Sequence, residues 1–419
     1  MAHEATDQPA RTDNIAALES VFKSGFRPED KDRCVYVELG HHLVNADLSP
    51  LAEGDEADAA WLCDRIGGVS PKDMRDTEDI RFKIAAGIVD TKVGPGGQVV
   101  FVGGPYDMPG EVRMDFEQFD RLGSSIADEK GKRLINEGYH PTASAADVAL
   151  RDEQSRILHD YLAAFSPDCA NLMHVGAQTR ISLDYSSEAD ALRKLRLITI
   201  AAPILALICD DVRVYEKERS PHAVMRMALM NEGDPARSGI VPGVLDDDFS
   251  FADYAAYVLD APAIMKPAAD GDADWIATDE SFGAAYAEQA MTPDQAESAL
   301  ASFFNDVTLT NRINIEVIDS MPAPFVCAAA MLVKGLFILE PSLDELESMF
   351  ADIAEDDVRA AKAALAEAGY DATVYGRPAS ELADALMGLA QENLAFNEKN
   401  FLSALAALVR FRKSLAHMG

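Results

Sequence analysis

Four stretches of the sequence alternate between apolar and polar residues, and this pattern constrains the fold more than any other feature. An alternation of period two gives a strand one apolar and one polar face. The four stretches are 34–44, 91–105 with a Gly-Pro-Gly-Gly-Gln turn at its centre, 179–185 and 312–319. Such strands, far apart in sequence, predict an α+β fold with one mainly antiparallel sheet. The polar face of that sheet would either line a cleft or simply meet solvent.

The last stretch, RINIEVID, illustrates how the faces are assigned. The alternation predicts that Ile313, Ile315 and Val317 face the core. It places Glu316 and Ile318 on the polar face.

Helical periodicity between the strands predicts a layer of helices packed outside the sheet. The helical stretches are AALESVFKSG, FEQFDRLGSSIADEKGKRLINEG, SEADALRKLRLITIAAPILALI and most of 341–419. In the tail, Ser342 followed by Glu345 predicts a helix start, and Gly369 predicts a helix end. Residues 262–282 lack periodicity and are interpreted as a mobile loop. Because no convincing linker divides the chain, we expect one domain over 1–419 with a helical C-terminal layer at about 341–419.

Charge and cysteine content exclude several classes of partner. The chain has 37 basic and 71 acidic residues, a formal net charge of −34, which would repel nucleic acid and anionic membrane surfaces. Its 5 cysteines are scattered without a Cys-x-x-Cys pair, which is typical of reduced core cysteines. The N-terminus lacks the pattern of a signal peptide, and the longest apolar stretch, 198–209, contains a proline. We therefore expect a cytoplasmic protein with neither nucleic acid nor membrane as partner.

Several motifs together resemble the glutamate–cysteine ligase family, in the branch related to the plant enzymes. They occur in order along most of the chain, as GYHPTAS (138–144), SLDYSSEADALRKLRL (182–197), APILALICDD (202–211), NEGDPARSGIVPGVLDDDFSFADYAAYVLDAP (231–262) and ALAEAGYDATVYGRPASELAD (364–384). The resemblance implies a saddle-like antiparallel sheet with helices outside. It also implies a reaction in which ATP phosphorylates the side chain of glutamate and the amine of cysteine displaces phosphate. Such chemistry uses magnesium held by carboxylates.

The positions at which the family carries these carboxylates are largely substituted here. The family's Glu-x-Glu reads Glu38 and Gly40, so Glu38 is a remnant of the catalytic set. In the stretch around the glycine-rich turn, the two positions at which the family carries glutamate are occupied by Gly94 and Val100, while Gln98 is retained. Other family positions have changed in charge or polarity, namely Asp152, Gln154, Arg180, Asn314 and Glu316. The resemblance therefore implies that ligase activity is lost or very weak, and that no ATP or magnesium is needed.

A few candidate binding residues remain. By the resemblance, Gln98, Arg226 and Arg237 would contact a substrate or nucleotide, since arginine suits carboxylates and phosphates. An alternative role for Arg237 is an ion pair with Asp234 in its own loop. No metal ligand set is expected.

Three functions remain open at this stage. In the first, the chain is a non-catalytic homologue whose binding partner is a small acid, such as an amino acid, or an active paralogue. In the second, it is a working carboxylate–amine ligase with unusual metal ligands. In the third, it has unrelated chemistry. The charge changes at Arg180 and Glu316 predict that Arg180 forms an ion pair with Glu316 or Glu38 in the cleft, unless these side chains reach solvent independently.

Overall fold

The computed structural model describes residues 10–28, 34–67, 90–106, 109–267 and 275–418. The strands are β1 (Val35–Asn45), β2 (Asp90–Val93), β3 (Val99–Tyr106), β4 (Lys132–Ile135), β5 (Gln178–Leu183), β6 (Val214–Tyr215), β7 (Glu218–Arg219), β8 (Ser238–Gly239), β9 (Pro262–Pro267), β10 (Trp275–Ser281), β11 (Phe304–Asn305), β12 (Val307–Leu309), β13 (Ile313–Asp319), β14 (Thr373–Val374) and β15 (Arg377–Pro378). The α-helices are α1 (Arg11–Ser24), α2 (Ala59–Gly67), α3 (Pro109–Asp128), α4 (Glu153–Ala163), α5 (Pro167–Val175), α6 (Glu188–Ile208), α7 (Met225–Asn231), α8 (Phe251–Asp260), α9 (Phe282–Ala285), α10 (Pro293–Leu300), α11 (Ala323–Phe337), α12 (Glu340–Met349), α13 (Glu355–Ala368), α14 (Ala379–Asn393) and α15 (Ser403–Arg410).

Within the described ranges the main sheet has seven strands, six of them in the order β12-β13-β5-β1-β3-β2, and β4 pairs with the far half of β1. Every pair in this sheet is antiparallel. All four stretches predicted from alternation are strands of this sheet, so the α+β prediction is confirmed. The register places Glu38 on β1 directly opposite Arg180 on β5 and Val102 on β3, which puts these side chains on one face.

A β-bulge changes the faces predicted for β13. The register between β13 and β5 shifts between Ile315 and Ile318, so that Glu316 and Val317 both lie opposite Arg180. A bulge of this kind inserts one extra residue and reverses the alternation beyond it. Ile318 is therefore fully buried and Val317 is half-buried, which corrects the prediction for these two side chains.

Two largely buried helices, α6 and α11, pack against strands of the sheet, and the sequence predicts only the first of them as a helix. Helix α6 covers 188–208 with Pro203 inside it, and nearly all of its second half is buried. Helix α11 is buried over most of its length. These elements contribute to one cluster of buried side chains that extends from Leu18 to Leu415. Burial of this extent drives folding of the layer around the sheet.

Two segments depart from the helix and loop predictions. The predicted helix over 116–138 ends at Asp128; Gly131 takes a positive φ of 65°, and β4 then pairs with β1. Tertiary pairing overrides the helical periodicity there, because Leu134 lies opposite Leu43 on β1. The predicted loop at 262–282 contains the antiparallel hairpin of β9 and β10, while 268–274 lie outside the described residues.

The C-terminal helical layer is present, but one helix start is shifted. Helix α12 begins at Glu340, and Pro341 lies in its first turn. A backbone N–H at that position has no partner within the helix, so proline is tolerated there. Ser342 is therefore no N-cap; it is buried and its hydroxyl donates to the carbonyl of Gly335 at 2.7 Å. Helix α13 ends before Gly369, whose φ is 54°, as predicted.

No single helix in the described ranges has the length and apolar composition to cross a membrane. The pair α11 and α12 passes that test only jointly and is bent by 82°.

Candidate functional site

The polar face of the sheet and the helices opposite it enclose a cavity of about 320 Å³. From the sheet it is lined by Glu38, Gly40, Val100, Gln178, Arg180 and Glu316. From the helices it is lined by Leu172, Met173, Ala206, Arg226, Met227 and Met230, among others. A concave site with a mostly apolar lining and a few convergent polar groups is typical of small-molecule binding sites.

Charged side chains form an alternating row across the sheet face. Lys92 Nζ on β2 lies 3.1 Å from Glu38 Oε1, and Arg180 Nη1 lies 3.4 Å from Glu38 Oε2. Arg180 Nε donates to Glu316 Oε1 at 2.7 Å. Glu316, and to a lesser extent Glu38, raises the pKa of Arg180 above its usual value, which keeps it charged. The predicted ion pair of Arg180 is therefore confirmed, and it engages both glutamates.

A second ion pair lies beside this row. Lys362 Nζ on α13 is 2.6 Å from Asp306 Oδ2, and both side chains are buried. The backbone carbonyl of Asp306 accepts from the N–H of Glu316 at 3.0 Å, which connects this pair to the row. Both residues line the cavity.

The glycine-rich turn between β2 and β3 packs against the C-terminal end of α5. Gln98 is buried, and its Oε1 accepts from the N–H of Gly96 at 3.0 Å. Its Nε2 donates to the carbonyl oxygens of Met173, His174 and Gly176. A Cβ on Gly96 would lie 2.0 Å from the carbonyl oxygen of His174, so only glycine fits there. The side chain of Gln98 thus joins the turn to α5, and a ligand-binding role for Gln98 stays a prediction.

The two glycines at family glutamate positions differ in the room that they leave for a side chain. A Cβ on Gly94 would lie 2.4 Å from Gln98 Oε1, an atom held by its hydrogen bond. A Cβ on Gly40 would lie 3.2 Å from the backbone oxygen of Gln178. A side chain at position 94 would therefore displace the hydrogen-bonded Gln98, whereas one at position 40 would require Gln178 to shift by a few tenths of an ångström.

Arg226 reaches the cavity, but its polar atoms bond to the protein. Arg226 Nε forms a short ion pair with Asp319, and its Nη2 donates to the carbonyls of Ala177 at 2.6 Å and Gly138 at 3.3 Å. These contacts fix the end of β13 against the strand β5 and the segment before α4. The predicted role of Arg226 toward a ligand stays untested.

Arg237 lies outside the cavity lining. It is fully buried, its Nε is 2.9 Å from Asp234 Oδ2, and its Nη1 donates to the carbonyl of Ser302 at 2.9 Å. The rings of Tyr161 and Phe303 each lie 5.3 Å from its guanidinium carbon. The ion pair with Asp234, which the sequence offers as the alternative role of Arg237, is therefore confirmed. The role of Arg237 in binding a ligand stays a prediction.

Sulfur-containing and hydroxyl side chains complete the lining. Burial raises the pKa of the Cys169 thiol to about 11, so this thiol stays neutral and weakly nucleophilic. Ser238 Oγ is buried and has no hydrogen-bond partner in the described part of the chain. A buried hydroxyl without a partner beside a cavity is a group that a ligand or water would satisfy.

Comparison with known proteins decides the family. The model of glutamate–cysteine ligase family 2 matches residues 65–411, most of the chain. The chain belongs to this family. It is 23% identical to the chloroplastic glutamate–cysteine ligase of Medicago truncatula, covering 96% of this chain and 82% of that protein. Its identity to the chloroplastic enzyme of Arabidopsis thaliana is also 23%, with 97% and 78% covered.

A solved structure shares the fold of this glutamate–cysteine ligase family member. The glutamate–cysteine ligase of Francisella tularensis, solved in complex with AMP, superposes with a TM-score of 0.54 at 12% identity. The match covers 92% of this chain and 83% of that one. The family and the fold expected from the sequence motifs are both confirmed.

The described residues of the cleft do not fit the magnesium centre that the family resemblance implies. Magnesium prefers carboxylate oxygens in near-octahedral array. Both oxygens of Glu38 contact Lys92 or Arg180, and both oxygens of Glu316 accept hydrogen bonds, from Arg180 and Gln178. Within the described ranges, no group of three or more His, Cys, Asp or Glu side chains is placed to hold a metal ion.

Several residues of the site were missed by sequence reasoning. Lys92 was overlooked although it lies in the turn stretch, on the same face as Val100 by register. The Lys362–Asp306 pair and Ser238 come from distant segments, and nothing in their local pattern marks them. Their proximity is a product of the tertiary fold alone.

Proposed function

We propose that this family member has lost the ATP-dependent ligation of glutamate and cysteine and keeps the cleft as a binding site for a small molecule. The observation that carries the proposal is the alternating row of Lys92, Glu38, Arg180 and Glu316. It commits the glutamates to protein cations. A carboxylate so engaged is a poor ligand for a divalent metal, since each contact must first be broken.

The space at the two glycine positions supports the same proposal. The turn packs closely around Gly94, and Gln178 packs closely against Gly40. The cleft retains volume, apolar walls and an unpartnered hydroxyl, all of which favour binding.

Activity measurement tests the loss of ligation. Purified protein with magnesium, ATP, glutamate and cysteine should release no phosphate and form no γ-glutamylcysteine above a blank without protein. Glu38→Gln serves as the matched control and should give the same background. Phosphate release that rises with protein concentration, needs both amino acids and disappears in Glu38→Gln would show a working ligase with unusual ligands.

The partner and the compartment belong to the proposal as well. The five cysteines are free thiols, which fits a reducing compartment such as the cytoplasm. An active paralogue as partner stays a prediction. A change in mass on mixing with such a paralogue, measured by light scattering, would favour a protein partner over a small molecule.

A further inference from the structure

The charged groups around the cavity balance, although the chain as a whole carries a formal charge of −34. Among the described residues, three acidic and three basic side chains line the cavity, and they are Glu38, Arg180, Arg226, Asp306, Glu316 and Lys362. Each of them lies within 3.4 Å of an opposite charge. The described part of the cavity lining therefore carries no net formal charge.

This balance disfavours a ligand that carries a single net charge. Such a ligand would lose part of its hydration in the cavity, and each described charge in the lining already has an opposite partner. A molecule with equal positive and negative charge does not meet this obstacle. Its two ends can join the existing pairs by exchanging contacts.

The row of charges has the pattern that a zwitterion needs. Arg180 lies between Glu38 at 3.4 Å and Glu316 at 2.7 Å, and Lys92 lies on the far side of Glu38. A carboxylate near Arg180 or Lys92 therefore has an acidic group next to it that suits an ammonium. Positive and negative groups of one small molecule fit neighbouring positions of this row.

The remaining lining residues and the volume of the cavity favour a ligand with a small apolar part, here called its apolar body. Its volume of about 320 Å³ is at the lower end of small-molecule sites. Leu172, Met227, Met230 and Phe303 contribute apolar walls, and methionine adapts to ligand shape. The unpartnered Ser238 Oγ adds one hydrogen-bonding position.

We propose that the cavity binds a zwitterionic small molecule with an apolar body, of which hydrophobic α-amino acids are the simplest probes. This inference rests on the proposed function, since it takes the cleft to be a binding site without ligation. It distinguishes a zwitterion from a net anion such as glutamate and from a nucleotide.

Titration calorimetry with matched probes tests the ligand class. L-Leucine is the zwitterion, N-acetyl-L-leucine the anion and L-leucinamide the cation of nearly the same body, and L-glutamate is the amino acid with a net negative charge. L-Leucine should bind with a dissociation constant of about 1 mM or tighter. The three other probes should bind at least about tenfold more weakly. Failure of L-leucine to bind, or equal binding of N-acetyl-L-leucine or L-glutamate, overturns the proposal.

Variants place the binding in this cavity. Met230→Trp fills the cavity from a half-buried position and should weaken leucine binding at least about tenfold. Arg180→Gln should weaken it as well, because the row loses its central cation. Arg412→Gln breaks an exposed ion pair with Asp384 and is the matched control that should bind normally. Unchanged binding by folded Met230→Trp contradicts the placement.

Calorimetry and the phosphate-release assay on the same purified protein distinguish failure of the proposed ligand class from failure of the proposed function. If leucine does not bind and no phosphate is released, the ligand class is wrong while the loss of ligation stands. If phosphate release depends on glutamate and cysteine, the proposed function itself is wrong.

Discussion

Arg180 holds two carboxylates at once, and its side chain is about one-third exposed. An exposed ion pair contributes little, whereas removing one partner of a buried pair is costly. Glu316 has a side-chain exposure of 11% and Glu38 of 24%, so this group lies between the two limits. The row should therefore contribute to stability as well as neutralise the cleft.

A double-mutant cycle measures this contribution. Arg180→Gln should lower the free energy of unfolding by about 1–2 kcal/mol, because Glu316 and Glu38 lose their cation. Glu316→Gln should have a smaller effect, and the double variant should show a coupling above about 0.5 kcal/mol. Denaturant unfolding gives all three values. Additive effects would contradict the ion pair, and Arg412→Gln, with its exposed partner, should change stability by less than about 1 kcal/mol.

Asp211 is a buried acid whose ionisation opposes folding at high pH. Burial, with Asp319 and Glu137 nearby, raises the pKa of Asp211 to about 8, and Arg213 at 3.3 Å opposes the shift only in part. In the unfolded chain the group ionises near its ordinary value of about 3.9. The folded state thus binds a proton that the unfolded state releases between these values.

The sign of the pH effect follows from this difference. The contribution of Asp211 to stability is complete below pH about 4 and is lost as pH rises through about 8. The slope for one proton is about 1.4 kcal/mol per pH unit. Asp211→Asn should make the loss of stability between pH 5 and about 8 shallower, measured by denaturant unfolding. Exposed Asp248→Asn is the control; an unchanged slope in Asp211→Asn would contradict the raised pKa.

At the scale of elements, the turn between β2 and β3 shows how a family motif persists as structure. Its buried Gln98 bonds to both the turn and the end of α5. The glycine at 96 fits because the carbonyl of His174 leaves no room for a side chain. The packing of the turn therefore requires Gly96 and Gln98 whether or not the protein is catalytically active.

Restoring glutamates tests this interpretation of the turn. Gly94→Glu should destabilise the fold by about 1–3 kcal/mol, because the hydrogen-bonded Gln98 must move. Gly40→Glu should cost less, because Gln178 needs to shift by only a few tenths of an ångström. Val100→Glu should cost less, since Val100 is half-buried and borders the cavity. Thermal unfolding compares the three variants, and none should gain ligase activity alone. Equal stability of Gly94→Glu and the parent protein would refute the packing argument.

The complete fold should be stable without nucleotide. The ion pairs within the cleft replace the cations that a cluster of carboxylates would need. Thermal unfolding should therefore be unchanged by magnesium and ATP, compared with buffer of equal ionic strength. A ligand that binds only the native state raises the unfolding temperature, so a rise of several degrees would show retained nucleotide binding.

The sheet, its antiparallel pairing and the family were predictable from the sequence. Alternation in 34–44 and 179–185 has a period that only strands match, and both stretches pair in the sheet. The motifs extend over most of the chain, so the family prediction held at low overall identity. The ion pair of Arg180 was predictable because two charge changes on polar faces needed compensation.

Details that depend on strand pairing and close packing could not be predicted from local sequence. The bulge on β13 exchanged the faces of Val317 and Ile318, because one extra residue reverses an alternation that the sequence shows as continuous. The segment after Asp128 became a strand, since contact with β1 outweighs a local helical preference. Lys362 and Ser238 line the cavity because segments far apart in sequence pack together. Local sequence patterns do not predict which distant segments come into contact.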